Sequence, residues 1–142
     1  MADSRQIRVE VLTPEGPVFD GDLFQVSTRT VIGELGIRAR HAPMLARLVP
    51  HELRLYESAE EFNAKRGRQF AAAEGWLEVF ANRVVVLVEE ARDPETLDSA
   101  ELKERIADAR RRLEEAEEES AAYEVAEQDL ERAEAFLSVA EH

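Results

Sequence analysis

The sequence predicts a β + α protein: an N-terminal antiparallel β-sandwich or barrel followed by a C-terminal antiparallel hairpin of two helices. Three observations carry the prediction. Residues 1–91 place apolar side chains at period two or in short β-branched runs, separated by clusters of Gly, Pro, Asn and Asp. From Glu95 to His142 there is neither Gly nor Pro, and Ala, Glu, Arg and Leu, all good helix formers, dominate. Between the two stretches stands Arg92-Asp93-Pro94, where the proline disfavours helix at the residue before it. Net charge shifts at the same place: residues 1–91 hold 11 basic and 14 acidic side chains, net −3, whereas residues 92–142 hold 7 and 17, net −10. The division this implies is 1–91 and 92–142.

In chain order, Ile7-Arg8-Val9-Glu10-Val11 alternates and reads as the first strand. Thr13-Pro14-Glu15-Gly16-Pro17 and Asp20-Gly21-Asp22 read as turns. Phe24-Gln25-Val26-Ser27 and Leu53-Arg54-Leu55-Tyr56 alternate again, while the polar stretch Glu57–Arg68 suits an edge hairpin. Glu74-Gly75 turns into the strand Trp76-Leu77-Glu78-Val79-Phe80, and Ala81-Asn82-Arg83 turns into Val84-Val85-Val86-Leu87-Val88. That last β-branched run suits a strand buried on both faces. Many short strands at this spacing indicate a sandwich or barrel.

The helices follow. Asp98 or Thr96 can cap the first, with Glu101 three residues after Asp98 as in a capping box. Leu102, Ile106, Ala109, Leu113 and Ala116 step by four and three, as do Tyr123, Ala126, Leu130, Ala133, Leu137 and Ala140. Each set is the narrow apolar seam of a helix that pairs with another helix. The seams are out of register, which favours a turn near Glu117-Glu118-Glu119-Ser120, although no helix breaker enforces it. The Ala-rich seam buries little area, so the pairing is weak. Both a static hairpin and a two-state arm are compatible with that pattern.

Composition narrows the functions. A net charge of −13 argues against nucleic acid as a ligand, since phosphate binding needs clustered cations. Without cysteine there are no disulfides, thiolate metal sites or cysteine nucleophiles. No segment approaches 18 consecutive apolar residues, and Met1-Ala2-Asp3-Ser4-Arg5 lacks the apolar core of a signal peptide, so a cytosol-facing protein is expected.

Gly33-Glu34-Leu35-Gly36-Ile37 followed by Arg40-His41-Ala42-Pro43-Met44-Leu45 resembles the "GELGI…HAPLL" signature of the epsilon subunits of F-type ATP synthases. Val11-Leu12-Thr13-Pro14 with Val18-Phe19-Asp20-Gly21, and Glu74–Val79 with Asn82–Leu87, are similar to further stretches of that family in the same order, and Leu137-Ser138-Val139-Ala140 is similar to its chain end. The resemblance implies a sandwich of about ten strands that binds the gamma subunit and the c-subunit ring. It also implies a regulatory helical hairpin that lies on the sandwich or extends toward the catalytic alpha and beta subunits to inhibit ATP hydrolysis. The subunit would be non-catalytic and peripheral, on the cytoplasmic face of a bacterial membrane, reaching the membrane only through the complex. The alternative from the residues alone is a stand-alone β-domain adaptor whose acidic arm dimerises or binds a partner.

Gly33 and Gly36 allow a tight, exposed loop presenting Glu34, which the resemblance places at the c ring. Arg40 and His41 join it as candidate contacts to the ring or gamma. Pairing of His41 with Glu34 as a catalytic dyad is the minor enzymatic alternative; no nucleophile or cofactor motif accompanies it. Arg110-Arg111-Arg112 offers i,i+4 partners to the acidic run, as Arg110–Glu114 and Arg111–Glu115, or contacts to the catalytic subunits. Asp98 and Arg132 match part of a pattern by which some bacterial relatives bind ATP as a regulatory ligand. Glu101 and Phe136 stand where that pattern has arginines, which counts against ATP, and no other cofactor is expected. Thr28–Ile32 suggests a lengthened rotor-facing loop.

Overall fold

The computed structural model describes residues 5–142. Ten strands come first: β1 Ile7–Thr13, β2 Gly16–Leu23, β3 Gln25–Thr30, β4 Gly33–Arg38, β5 Met44–Leu48, β6 His51–Tyr56, β7 Arg68–Ala72, β8 Gly75–Phe80, β9 Arg83–Val88 and β10 Ala91–Arg92. A short helix α1, Ala59–Asn63, interrupts them, and α2, Ser99–Glu115, and α3, Ala121–Ala140, complete the chain. Strand order is β10-β7-β6-β3-β5-β8-β9-β1-β2, with β4 on the remaining edge of β3. One edge of β3 is shared: Gln25–Ser27 pair with β6, and Thr30 pairs with Leu48 of β5. All pairings are antiparallel except β1 with β9, which run parallel with Val9 opposite Val84 and Val11 opposite Val86. The alternation in β1 puts Ile7, Val9 and Val11 in one core with Leu23, Val26, Ile37, Leu53, Leu77 and Val86.

Two turns use the same device. Thr13 and Thr30 each donate their hydroxyl to the carbonyl three residues on, Gly16 and Gly33, at 3.0 Å, and each hydroxyl accepts the N–H two residues on. Gly16 and Gly33 sit at φ +128° and +133°, a region that only glycine enters without strain. The device makes the β3–β4 turn two residues long, Val31 and Ile32, because Thr28–Thr30 extend β3. The lengthened loop is therefore not formed.

Three other expectations are corrected. Asp20-Gly21-Asp22 continues β2, with the Phe19 ring lying over the bare Gly21 Cα, where an added Cβ would stand 3.1 Å away. The polar stretch after Glu57 forms α1, not an edge hairpin. Ser58 caps it by accepting the Glu61 N–H, and Glu61 accepts the Glu57 N–H, so the Ser-x-x-Glu signal outweighs polarity. Finally, Val84–Val88 is buried on one face only: Val84, Val86 and Val88 enter the core, while Leu87 faces out.

Strand β10 ends at Arg92, and Asp93 caps a single 3-10 turn over Pro94–Thr96 by accepting the Glu95 N–H. Asp98 then caps α2, accepting from the N–H groups of Ala100 and Glu101. Glu101 does not complete the capping box; it pairs with Arg105, one turn on. The hairpin turns at 116–120 without glycine, through Glu119 at φ +66° and Ser120, whose hydroxyl caps α3 at Tyr123. Leu102, Ile106 and Ala109 of α2 and Ala126 and Ala133 of α3 are the buried positions of the two seams. Phe136 and Val139 of α3 form a second cluster with Ala71 and Ala73 of the sandwich and Leu102. The hairpin thus lies folded against the sandwich.

Candidate functional site

The sandwich shows an outer face rich in apolar side chains. Leu45 on β5, Trp76 and Phe80 on β8, and Leu87 on β9 are 66%, 48%, 64% and 50% exposed. They result from the period of two: their neighbours in sequence fill the core, so these must point away. Register aligns Arg47, Trp76, Leu87 and Leu12 across four strands. Around them, charges are paired on the same face: Arg83 Nη2 with Glu10 at 2.7 Å, and Arg8 with Asp20 at 2.8 Å and with Asp22 at 3.7 Å. Two further charges stand among the apolar side chains, Glu78 between Trp76 and Phe80 and opposite Leu45, and Arg47 opposite Trp76. A largely apolar face with a paired rim and a few charges of its own is the anatomy of a docking surface.

At the β3–β4 turn Ile32 is 91% exposed, beside Val31. Glu34 lies in strand β4 opposite Arg29, not in a loop, with its carboxylate toward solvent. Its histidine neighbour is His51, with Nε2 3.8 Å from Oε1. Partial burial holds the His51 imidazole below its usual pKa, reinforced by Arg29 and opposed by Glu34. Arg40 and His41 lie past the other end of β4. Arg40 takes φ +64° and donates its N–H to the Asn82 side chain at 2.8 Å, while His41 Nδ1 contacts the Ala42 carbonyl at 2.7 Å. The strand thus separates His41 from Glu34, and the dyad is not formed.

On the arm, the expected Arg110–Glu114 and Arg111–Glu115 pairs do not form. Arg111 and Arg112 both reach back one turn to Asp108, and Arg112 crosses the seam to Asp129 at 2.9 Å. Helical side chains lean toward the N-terminus, which favours an acid placed before its base. Arg110 stays exposed. Of the nucleotide candidates, Asp98 is engaged as the α2 cap. Arg132 instead forks onto Glu74, at the β7–β8 connection: Nε lies 3.2 Å from Oε1 and Nη2 2.7 Å from Oε2. Gln128 donates to the same Oε2 at 2.5 Å. Next to them the Glu131 carboxyl is pushed above its usual pKa by partial burial, then by Glu127, Glu74 and Glu134. A groove runs from Trp76 and Leu87 to Glu74, Gln128 and Arg132. Among the described residues no group of acids and histidines could hold a metal ion, and no helix is long and apolar enough to cross a membrane.

Residues 6–94 match the family described as the ATP synthase, Delta/Epsilon chain, beta-sandwich domain. The chain is 37% identical over 140 residues to the ATP synthase epsilon chain of Shouchella clausii, covering 96% of each chain. The chain belongs to the ATP synthase epsilon-chain family. The epsilon chain of Alkalihalophilus pseudofirmus is 41% identical over 92 residues, 65% of each chain. Among solved structures, the Euglena gracilis mitochondrial ATP synthase contains a chain with the same fold, at TM-score 0.80 and 22% identity, covering all of this chain and 84% of that one.

Two features of this epsilon-family chain escaped the sequence reading. The outer apolar face was hidden because Val84–Val88 reads as fully buried; its signal was Leu87 opposite Trp76, which only the register supplies. The docking of α3 was hidden because Phe136 and Val139 lie beside the Ala seam, widening it rather than lying on it.

Proposed function

We propose that this chain is a non-catalytic subunit of the central stalk of an ATP synthase, joining c-ring rotation to the catalytic head. The observation that carries this is the apolar outer face of Leu45, Trp76, Phe80 and Leu87 on a sandwich of the epsilon family. That face docks the gamma subunit, because covering a large aromatic and aliphatic patch is favourable, the rim charges are already paired, and Glu78 and Arg47 within it are met by polar groups of the partner. The two-residue turn of Val31 and Ile32, with Glu34 beside it, contacts the c ring at the cytoplasmic face of the membrane. The helical arm inhibits hydrolysis when it leaves the sandwich for the alpha and beta subunits, with exposed Arg110 and Arg111 turned to their acidic surfaces. No nucleotide is needed, since Asp98 and Arg132 already hold internal partners. The reading of a dimerising adaptor is not favoured: the apolar seams of α2 and α3 are consumed within the hairpin and against β7. Co-purification with isolated gamma tests the proposal. Retention of the unmodified chain and loss of Trp76→Glu support it; no retention of the unmodified chain refutes it.

A further inference from the structure

Helix α3 carries five acids, Glu124, Glu127, Asp129, Glu131 and Glu134, and a single base, Arg132. That one base is spent on the sandwich. Its guanidinium grips Glu74 in a two-point fork, and the side chains of the pair are only 28% and 19% exposed, so solvent screens them incompletely. The other half of the grip is fixed. The Glu74 carbonyl accepts the Glu89 N–H at 3.1 Å. The adjoining Gly75 packs so close to β9 that an added Cβ would stand 1.8 Å from the Leu87 carbonyl oxygen. The rest of the seat is thin, because Phe136 and Val139 meet mainly alanine, Ala71 and Ala73, on the sandwich side.

We propose that Glu74 and Arg132 form the latch that holds the helical arm on the sandwich, with Arg132, the one base of α3, placed between the Glu74 carboxylate and the acids of its own helix. The latch does not depend on what the arm meets once it leaves. The geometry makes the two partners unequal. Losing Glu74 removes an attraction and leaves Arg132 among its own helix's acids. Losing Arg132 removes the attraction and also leaves Glu74 facing Glu131, whose carboxyl is already pushed above its usual pKa by partial burial and then by Glu127 and Glu74.

The native chain has no cysteine, so paired spin labels at Glu60→Cys and Glu118→Cys report the arm of the full-length protein cleanly. Both positions are exposed and removed from the latch. Glu74→Gln raises the detached fraction roughly tenfold, the size expected for a charge-assisted hydrogen bond. Arg132→Gln raises it further, while Arg132→Lys, keeping charge without the fork, raises it less than Arg132→Gln. Adding Glu74→Gln to Arg132→Gln brings the arm part-way back, which a mere packing role would not do. The proposal is overturned if the single variants leave the distance distribution unchanged, or if the double variant is as open as the two single effects multiplied. Exchange-protected amides at Val9 and Val86 in every variant confirm that the sandwich is intact throughout.

Discussion

Trp76 and Leu87 stand directly opposite one another on β8 and β9, and both point out of the sandwich. Their inward neighbours Leu77 and Val86 are fully buried, so the pleat alone forces the outward pair into solvent. A protein that exposes such a pair beside Phe80 and Leu45 has a face built to be covered.

Gly75 begins β8 where its Cα lies against the β9 backbone. Gly75→Ala would drive a methyl group into the Leu87 carbonyl and split this pairing. The variant is expected to lose about 3 kcal/mol of stability or more, the upper range for overpacked sites. Urea denaturation followed by tryptophan emission, with Trp76 as the only tryptophan, measures it.

Asp98 supplies the cap of α2, accepting from Ala100 and Glu101. Asp98→Ala should cost about 1 kcal/mol of helix stability. The loss appears in the far-ultraviolet dichroism of the arm on heating, with the sandwich transition unmoved. Titrating the unmodified chain with magnesium and ATP should release no binding heat, because both nucleotide candidates are engaged within the chain.

His51 makes stability depend on pH. Its folded-state pKa is lowered from 6.5, chiefly by burial, so the unfolded chain takes the proton first as pH falls. The unfolded state then binds more protons, and stability declines from about pH 7 down through the folded-state pKa. His51→Gln should flatten that decline between about pH 5 and 7, the range in which histidine titrates. Denaturation midpoints of the two proteins across this range test the sign.

Much of this molecule was legible in its sequence, and the gaps have physical causes. Alternation in Ile7–Val11 and Leu53–Tyr56 located strands because each has one core face. Absence of Gly and Pro after Glu95, with two seams out of register, located the hairpin, and Glu119 in a left-handed conformation supplied the break that no glycine marked. Non-local relations were not legible. The parallel pairing of β1 with β9, the placement of His51 rather than His41 beside Glu34, and the reach of Arg132 to Glu74 across 58 residues are set by topology. Local charge spacing misled for the same reason: Arg112 found Asp129 across the seam, while Glu114 and Glu115 stayed exposed.

Removing residues 93–142 should leave assembly with the synthase intact and raise its ATP hydrolysis, since the outer face of the sandwich is untouched and the arm is absent. Steady-state hydrolysis by complexes reconstituted with the full and shortened chains provides the comparison. Equal rates would show that the arm does not inhibit.

Calorimetry of gamma-subunit binding by the unmodified chain and by Trp76→Glu decides whether the outer face of the sandwich is the docking site. The outer face predicts tight binding by the former and a loss of at least about 2 kcal/mol, some thirtyfold, in the latter, as for a buried aromatic anchor. Equal binding by both proteins, or none by the unmodified chain, would contradict it.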